Sequence, residues 1–420
     1  MQMPGTSPRL LLVGQAIAPG EKSGLAIALA DLAEQLTLHG WIVECAAYGP
    51  RHGTSMERLT LRPTNTPSRI AGLSRWRWAG WFGQKLPSQV RAFVEIASMP
   101  HVFWVNASMN LSRLEGLLQD ATYDVILLAP TLIDAPGLMA LCTTTHSRVV
   151  LIGLDAVSTE LRAWWWSWLR GFLQAKFGQQ LHPCLLRQGQ PGRLAAGAFA
   201  NRHWYTQAIR AGFPADRARI IPFGVPLPKP LPRRRGSHPR LLWVGRLSRE
   251  KGLHLLLDAL PIVLREVGHL SVTGIAAQGP AGYRRQILAM IRHLGLEDVV
   301  TLHPAVQRTQ LRAAYAEHDL LFFHSSNTDP VALVLMEAFA AGLPVVSSQA
   351  SPQAHLVQEG STCLCYRSGD KRSLARAIIR LFTDFDLQTE LTKKAGQCVQ
   401  ARFSLQAMGG EFDALLRSLL

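Results

Sequence analysis

Four charged residues stand out in this chain for where they fall. Arg246 and Lys251 lie in "GRLSREKG" (245–252), which follows the apolar run "RLLWV" and precedes "LHLLLDALPIVL". The pattern predicts a strand that ends in a charged loop and opens a helix, so both cations stand where an anion is favoured. Within the stretch only Glu250 counters them. Asp329 and Glu337 stand eight apart in "HSSNTDPVALVLMEAFAAGLP" (324–344). Asp329 before Pro330 has the form of a helix start, an acidic N-cap with proline at the first helical position, and a ligand contact is compatible with that role. Glu337 sits inside the apolar "VALVLMEAFAAG", where a lone acid is costly unless something meets it. The cations imply an anion to hold, and the question is which one.

Two weaker patterns compete for attention. "GQAIAPGEKSG" (14–24) nearly spells a phosphate-cradling loop through Gly20, Lys22 and Ser23, but Glu21 separates the glycine from the lysine and repels phosphate. Gly14, Gly20 and Gly24 then read as turn glycines that let a ligand or a facing domain approach the backbone. "DFD" (384–386) has the form of a metal-binding D-x-D, yet it lies in a polar helical stretch and reads as a solvated face.

The elements that must carry these residues follow from periodicity. "RLLLVG", the glycine loop, "LAIALADLAEQLTLHG" and "WIVECAAYG" spell strand, loop, helix and strand, with Gly40 closing the helix. A crossover of that length implies parallel strands. The apolar runs at 123–129, 148–153 and 218–224 continue an α/β, doubly wound sheet. "VPLPKPLPRRRGSHP" (225–239) then breaks the pattern with five prolines and a basic cluster, which marks a stiff linker. Beyond it the pattern restarts. Strands at "RLLWVG", "HLSVTG", "VVTLH", "DLLFF" and "LPVVSS" alternate with helices to about Val267, at 281–294, at 308–317, up to 340–342 and from about Asp370. We therefore expect a first Rossmann-like domain over 1–225, a linker over 226–239, a second such domain over 240–403 and a terminal helix over 404–420 that packs back toward the first. Two domains of this kind facing a cleft would hold ligand at the carboxyl ends of their strands.

Composition narrows the classes. With 420 residues, 48% of them hydrophobic and 17% charged, the chain can bury two ordinary cores. Its 44 Lys+Arg against 29 Asp+Glu give a formal net charge of +15, which draws it toward an anionic partner. A nucleic-acid reader would show a recognition motif or a dense basic stripe, and the one tight cluster is "RRR" at 233–235, so no nucleic acid is expected. The six cysteines are scattered without zinc spacing, as in a reducing compartment. Neither a signal peptide nor a run of about 18 apolar residues appears, so a cytoplasmic location is expected, with peripheral attachment to the inner face of a membrane open.

The stretches "GRLSREKG" and "HSSNTDPVALVLMEAFAAGLP" together resemble the carboxyl-terminal donor domain of retaining GT-B glycosyltransferases of family four, the glycosyl transferases group 1. That family usually carries two glutamates eight apart, matched here by Asp329 and Glu337. The resemblance implies a nucleotide diphosphate sugar as co-substrate, no other cofactor and no metal. It implies that Arg246 and Lys251 hold the diphosphate, with Gly245 beside them, that Glu337 grips the ribose, and that Asp329 contacts the donor sugar and leaving group. Arg246, Lys251 and Asp329 would then be the catalytic residues, and Gly20 and Gly24 would belong to a weaker loop across the cleft. The likeness is specific over 240–252 and 319–347. Elsewhere the chain departs from it: Ala332 stands at a usual glycine, "SPQAH" (351–355) puts His355 where an acid is common, and "GLDAV" puts Leu154 and Asp155 where the family often has His-Asp. A non-catalytic GT-B relative that binds a partner or a nucleotide sugar is the alternative.

For the acceptor the sequence offers aromatic clusters. Trp76, Trp78 and Trp81, and Trp164, Trp165, Trp166 and Trp168, are interleaved with Arg75, Arg77, Lys85, Arg91, Arg162, Arg170 and Lys176. That mixture suits an anionic membrane interface, as it also suits a core or an acceptor pocket. Membrane contact would fit a hydroxyl acceptor that is lipid-linked.

Overall fold

The computed structural model describes residues 7–14, 24–47, 59–60, 111–112, 114–129, 141–153, 194–210, 212–227, 238–277, 279–324, 332–349 and 356–420. Contacts divide the chain into two compact units, Met1–Ile221 with Gly409–Leu420, and Pro222–Met408.

The first unit is built on seven parallel strands: β1 (Arg9–Gly14), β2 (Ile42–Ala47), β3 (Leu59–Thr60), β4 (Val125–Ala129), β5 (Arg148–Gly153), β6 (Ala196–Phe199) and β7 (Ala218–Ile220). Their order in the sheet is β3-β2-β1-β4-β5-β6-β7. Leu10, Leu11, Leu12 and Val13 of β1 are all fully buried, as a strand covered on both faces requires. Helix α1 (Gly24–Leu38) joins β1 to β2, and α2 (Arg202–Arg210) lies between β6 and β7. The short β6, "AGAF", went unread in the sequence because Gly197 and two alanines dilute its apolar signal.

In the second unit β8 (Arg240–Arg246), β9 (Ser271–Ala277), β10 (Val300–Pro304), β11 (Leu320–Phe323), β12 (Val345–Ser348) and β13 (Leu364–Tyr366) form a parallel sheet ordered β10-β9-β8-β11-β12-β13. Its helices are α3 (Leu253–Val267), α4 (Ala281–His293), α5 (Arg308–Glu317), α6 (Leu333–Ala340), α7 (Lys371–Thr383) and α8 (Phe385–Arg402). From β8 the chain winds one way to β10 and from β11 the other way to β13, so the strand order reverses between β8 and β11. In open α/β sheets that reversal is where ligands bind.

The last helix, α9 (Leu405–Arg417), is shared between the units by sequence. At its start Val225 bridges Ser404. In the part that clusters with the first unit, the Trp41 indole donates to Asp413 Oδ1 at 2.7 Å and Arg417 donates to the His39 carbonyl at 2.8 Å.

Helix α6 is described from Leu333 with Ala332 as N-cap, both buried, and the helix start expected at Asp329 and Pro330 lies outside the described residues. Asp384 of "DFD" is the N-cap of α8 and accepts from the Leu387 amide at 3.0 Å. Among the described residues no group of three or more His, Cys, Asp or Glu is arranged to hold a metal ion, and no helix is long and apolar enough to cross a membrane.

Candidate functional site

The loop "GRLSREKG" leaves β8 at the strand-order reversal. Leu247 and Ser248 turn inward and are buried, which leaves Arg246 and Arg249 facing solvent. Residues Arg249–Lys251 form one 3-10 turn, closed by the Gly252 amide donating to the Arg249 carbonyl at 3.1 Å. The Trp243 indole donates to the Lys251 carbonyl at 2.9 Å and ties the turn to the buried end of β8. A Cβ at Gly245 would stand 3.4 Å from Lys251 Cγ, so the lysine stem runs in contact with the backbone there. Arg246, Lys251 and Gly245 are thus brought together. Arg246 pairs with Glu250 at 3.0 Å in an exposed i,i+4 contact, worth well under about 1 kcal/mol, which an anion could readily displace.

Gly252 is both the end of the turn and the cap of α3, at φ +68°. Only glycine takes that conformation cheaply. A Cβ there would also stand 2.6 Å from the Cβ and Cγ of His324. Gly252→Ala is therefore expected to cost roughly 2 kcal/mol from the left-handed backbone alone and to displace the turn that carries Lys251. Denaturant midpoints would check this, and an unchanged midpoint would contradict it.

Glu337 is not a lone acid. Its Oε1 lies 3.3 Å from Arg308 Nε, and the Tyr315 hydroxyl donates to its Oε2 at 3.1 Å. Arg308 and Tyr315 are seven apart on α5, two turns on one face, and that spacing was the signal the sequence held for them. Burial, with Glu337 adding to it, pushes the Tyr315 phenol well above its ordinary value, so it remains a donor. Gly24 is the exposed first residue of α1 in the first unit. Gly20, Asp329, Leu154, Asp155, His355, both tryptophan clusters and most of the 226–239 linker lie outside the described residues.

Two histidines beside the loop were missed. His324 follows β11 and is buried with Nδ1 2.6 Å from the Tyr366 hydroxyl; His254, in the first turn of α3, has Nδ1 2.9 Å from the Tyr283 hydroxyl. Burial lowers His324 to about 4, with the charges of His254 and Lys251 adding to it. An unfolded histidine titrates near 6.5, so the unfolded chain takes the proton first as pH falls. This contribution is complete above pH ~6.5 and is lost toward pH ~4, by up to roughly 3 kcal/mol. Melting temperature should fall across that window in the native protein and fall less in His324→Gln; equal slopes would refute the assignment.

Residues 232–397 match the family model described as "Glycosyl transferases group 1". That match lies within the second unit. The chain is 27% identical over 225 residues to a putative colanic acid biosynthesis glycosyltransferase, WcaL, of Escherichia coli, covering 51% of this chain and 55% of that one. It is 29% identical over 189 residues to the amylovoran biosynthesis glycosyltransferase AmsK of Erwinia amylovora, covering 43% and 46%. The chain thus spans about half the length of the curated relatives it matches. Among solved structures, sucrose-phosphate synthase of Thermosynechococcus elongatus superposes with a TM-score of 0.71 at 18% identity, over 98% of this chain and 99% of that one. HepE of Anabaena, in complex with UDP-glucose, superposes with a TM-score of 0.66 at 18% identity, over 98% and 99%. These likenesses are ones of fold, and the fold is GT-B: two Rossmann-like units, each a parallel sheet with helices.

Proposed function

We propose that this group 1 protein transfers a sugar, a hexose, from a nucleotide diphosphate donor to a hydroxyl acceptor, with retention at the anomeric carbon and without a metal. The observation that carries the reading is the Arg246–Lys251 loop at the strand-order reversal of a group 1 unit. In the reaction the bond from the anomeric carbon to the diphosphate oxygen breaks, the bond to the acceptor oxygen forms on the same face, and the acceptor's proton passes to the departing phosphate. Negative charge grows on the leaving diphosphate. A planar guanidinium and a flexible ammonium favour that state over the ground state, with the amino terminus of α3 adding to them. Glu337, held by Arg308 and Tyr315, is the residue this scheme assigns to the ribose hydroxyls. Asp329 contacts the donor sugar and leaving group in this scheme.

Because the relatives named above act in polysaccharide synthesis, we assign the acceptor to envelope polysaccharide or glycolipid synthesis and make it lipid-linked. The segments around Trp76–Trp81 and Trp164–Trp168 provide the membrane contact in this reading, and their mixture of tryptophan with Arg and Lys supports it. The test is release of free nucleoside diphosphate from UDP-, GDP- and ADP-sugars, with and without membrane lipid extract. UDP-sugars come first, since HepE was solved with UDP-glucose. Lipid-stimulated release from one donor is expected. Binding of a donor without turnover under any condition would point to a non-catalytic relative, and absence of both would end the reading.

A further inference from the structure

His324 sits at the carboxyl end of β11, directly beside the strand-order reversal, and Tyr366 ends β13. The Tyr366 side chain is 1% exposed, and burial pushes its phenol up, so the hydroxyl keeps its hydrogen. A buried hydroxyl donates to an acceptor where one is in reach, and the acceptor at 2.6 Å is His324 Nδ1. Nδ1 then carries no proton. The ring, kept neutral by its burial, must carry its one proton on Nε2.

The place of the ring follows from the neighbouring glycine. A Cβ on Gly252 would stand 2.7 Å from His324 Cδ2, the ring carbon bonded to Nε2. The Cβ–Cγ–Cδ2 side of the ring therefore packs on Gly252, where the turn that carries Lys251 ends and α3 begins. His254 repeats the arrangement. Its own backbone N–H donates to the Tyr283 hydroxyl at 3.3 Å, and its Nδ1 lies 2.9 Å from the same oxygen. Two imidazoles beside the loop are thus each engaged at Nδ1 by a tyrosine hydroxyl. A third cation in so buried a place would cost desolvation and would repel Lys251. A neutral N–H adds a directed contact to an anion without either cost.

We propose that His324 is an anion-binding residue of this site: its Nε2–H, oriented by Tyr366, donates a hydrogen bond to the diphosphate held by the Arg246–Lys251 loop. The identity of the anion as a nucleoside diphosphate rests on the transferase reading. The alternative is that His324 only packs behind Gly252.

Two measurements decide between them. In ¹⁵N-histidine spectra of the full-length protein, His324 should be the Nε2–H tautomer, and its Nε2 resonance should move on addition of the nucleoside diphosphate. In titrations, His324→Asn, whose amide reaches only the δ position, should weaken binding of that nucleoside diphosphate and of inorganic pyrophosphate about 10- to 100-fold. His324→Gln, whose amide nitrogen reaches the ε position, should keep affinity within about 3-fold. An Nδ1–H tautomer, an Nε2 resonance unmoved by saturating ligand, or equal affinities for the asparagine variant and the native protein would overturn the proposal, and the first two need no variant to fold. Equal losses in both variants would mean packing alone and would overturn it as well. If the native protein binds pyrophosphate with the expected His324 response but turns over no sugar nucleotide, the transferase reading fails and the His324 assignment stands. If it binds neither ligand, both fail.

Discussion

Replacing Arg246 and Lys251 together by alanine is expected to lower kcat/KM for the sugar nucleotide about 10³-fold while moving the melting temperature by no more than about 2 °C. The stability expectation follows from the geometry. The Arg246–Glu250 pair has side-chain exposures of 65% and 40%, so its loss removes little. The Lys251 carbonyl, which the Trp243 indole engages, is backbone and survives the change. The activity expectation follows from charge. In the proposed reaction each cation would meet oxygens whose negative charge grows as the diphosphate leaves, and the helix terminus alone would replace neither. Single variants should fall between the native protein and the double variant. Initial rates of nucleoside diphosphate release, set beside calorimetric melts, give both quantities. A double variant with native turnover would remove the loop from the mechanism.

Glu337→Ala should have the largest effect on stability, about 3 kcal/mol, or a fall of roughly 6–12 °C in the melting of the second unit. The side chains of Glu337 and Arg308 are 12% and 29% exposed, and Tyr315 is almost wholly enclosed. Removing the carboxylate leaves a guanidinium and a phenolic hydroxyl without their acceptor in a place water reaches poorly. The cost should be non-additive with Arg308→Ala, since both changes break one network. If the double variant were destabilised by the plain sum of the two single changes, the network would not be the cause. Glu337→Gln separates structure from binding. It keeps an acceptor for Tyr315 and should recover part of the stability, while donor affinity should stay reduced under the proposed role of the carboxylate as acceptor for ribose hydroxyls.

The sequence by itself determined the backbone plan to a large degree. Runs such as "RLLLV", "VILLA", "RLLWV" and "LLFF" are apolar throughout, and a strand that must be covered on both faces has no other signature. The helix expected at 308–317 has those bounds in the structure, and the one expected at 281–294 ends a single residue sooner. Arg246 and Lys251 were legible because their spacing is local and the strand and helix around them are strongly patterned. What escaped was either weak in pattern, as with β6 and the three-residue β13, or not local at all. Arg308 is 29 residues from Glu337, and Tyr366 is 42 from His324; no periodicity links such pairs. Parallel strands bring together residues from separate βα units at one end of a sheet, and which strands are neighbours is decided by the winding order β10-β9-β8-β11-β12-β13. That Glu337 is partnered, and that His324 packs on the Gly252 turn with Nδ1 at Tyr366, are consequences of that order and of burial. Side-chain type was written in the sequence, whereas the partner, the protonation state and the direction of each group were decided only when the chain closed its core around them.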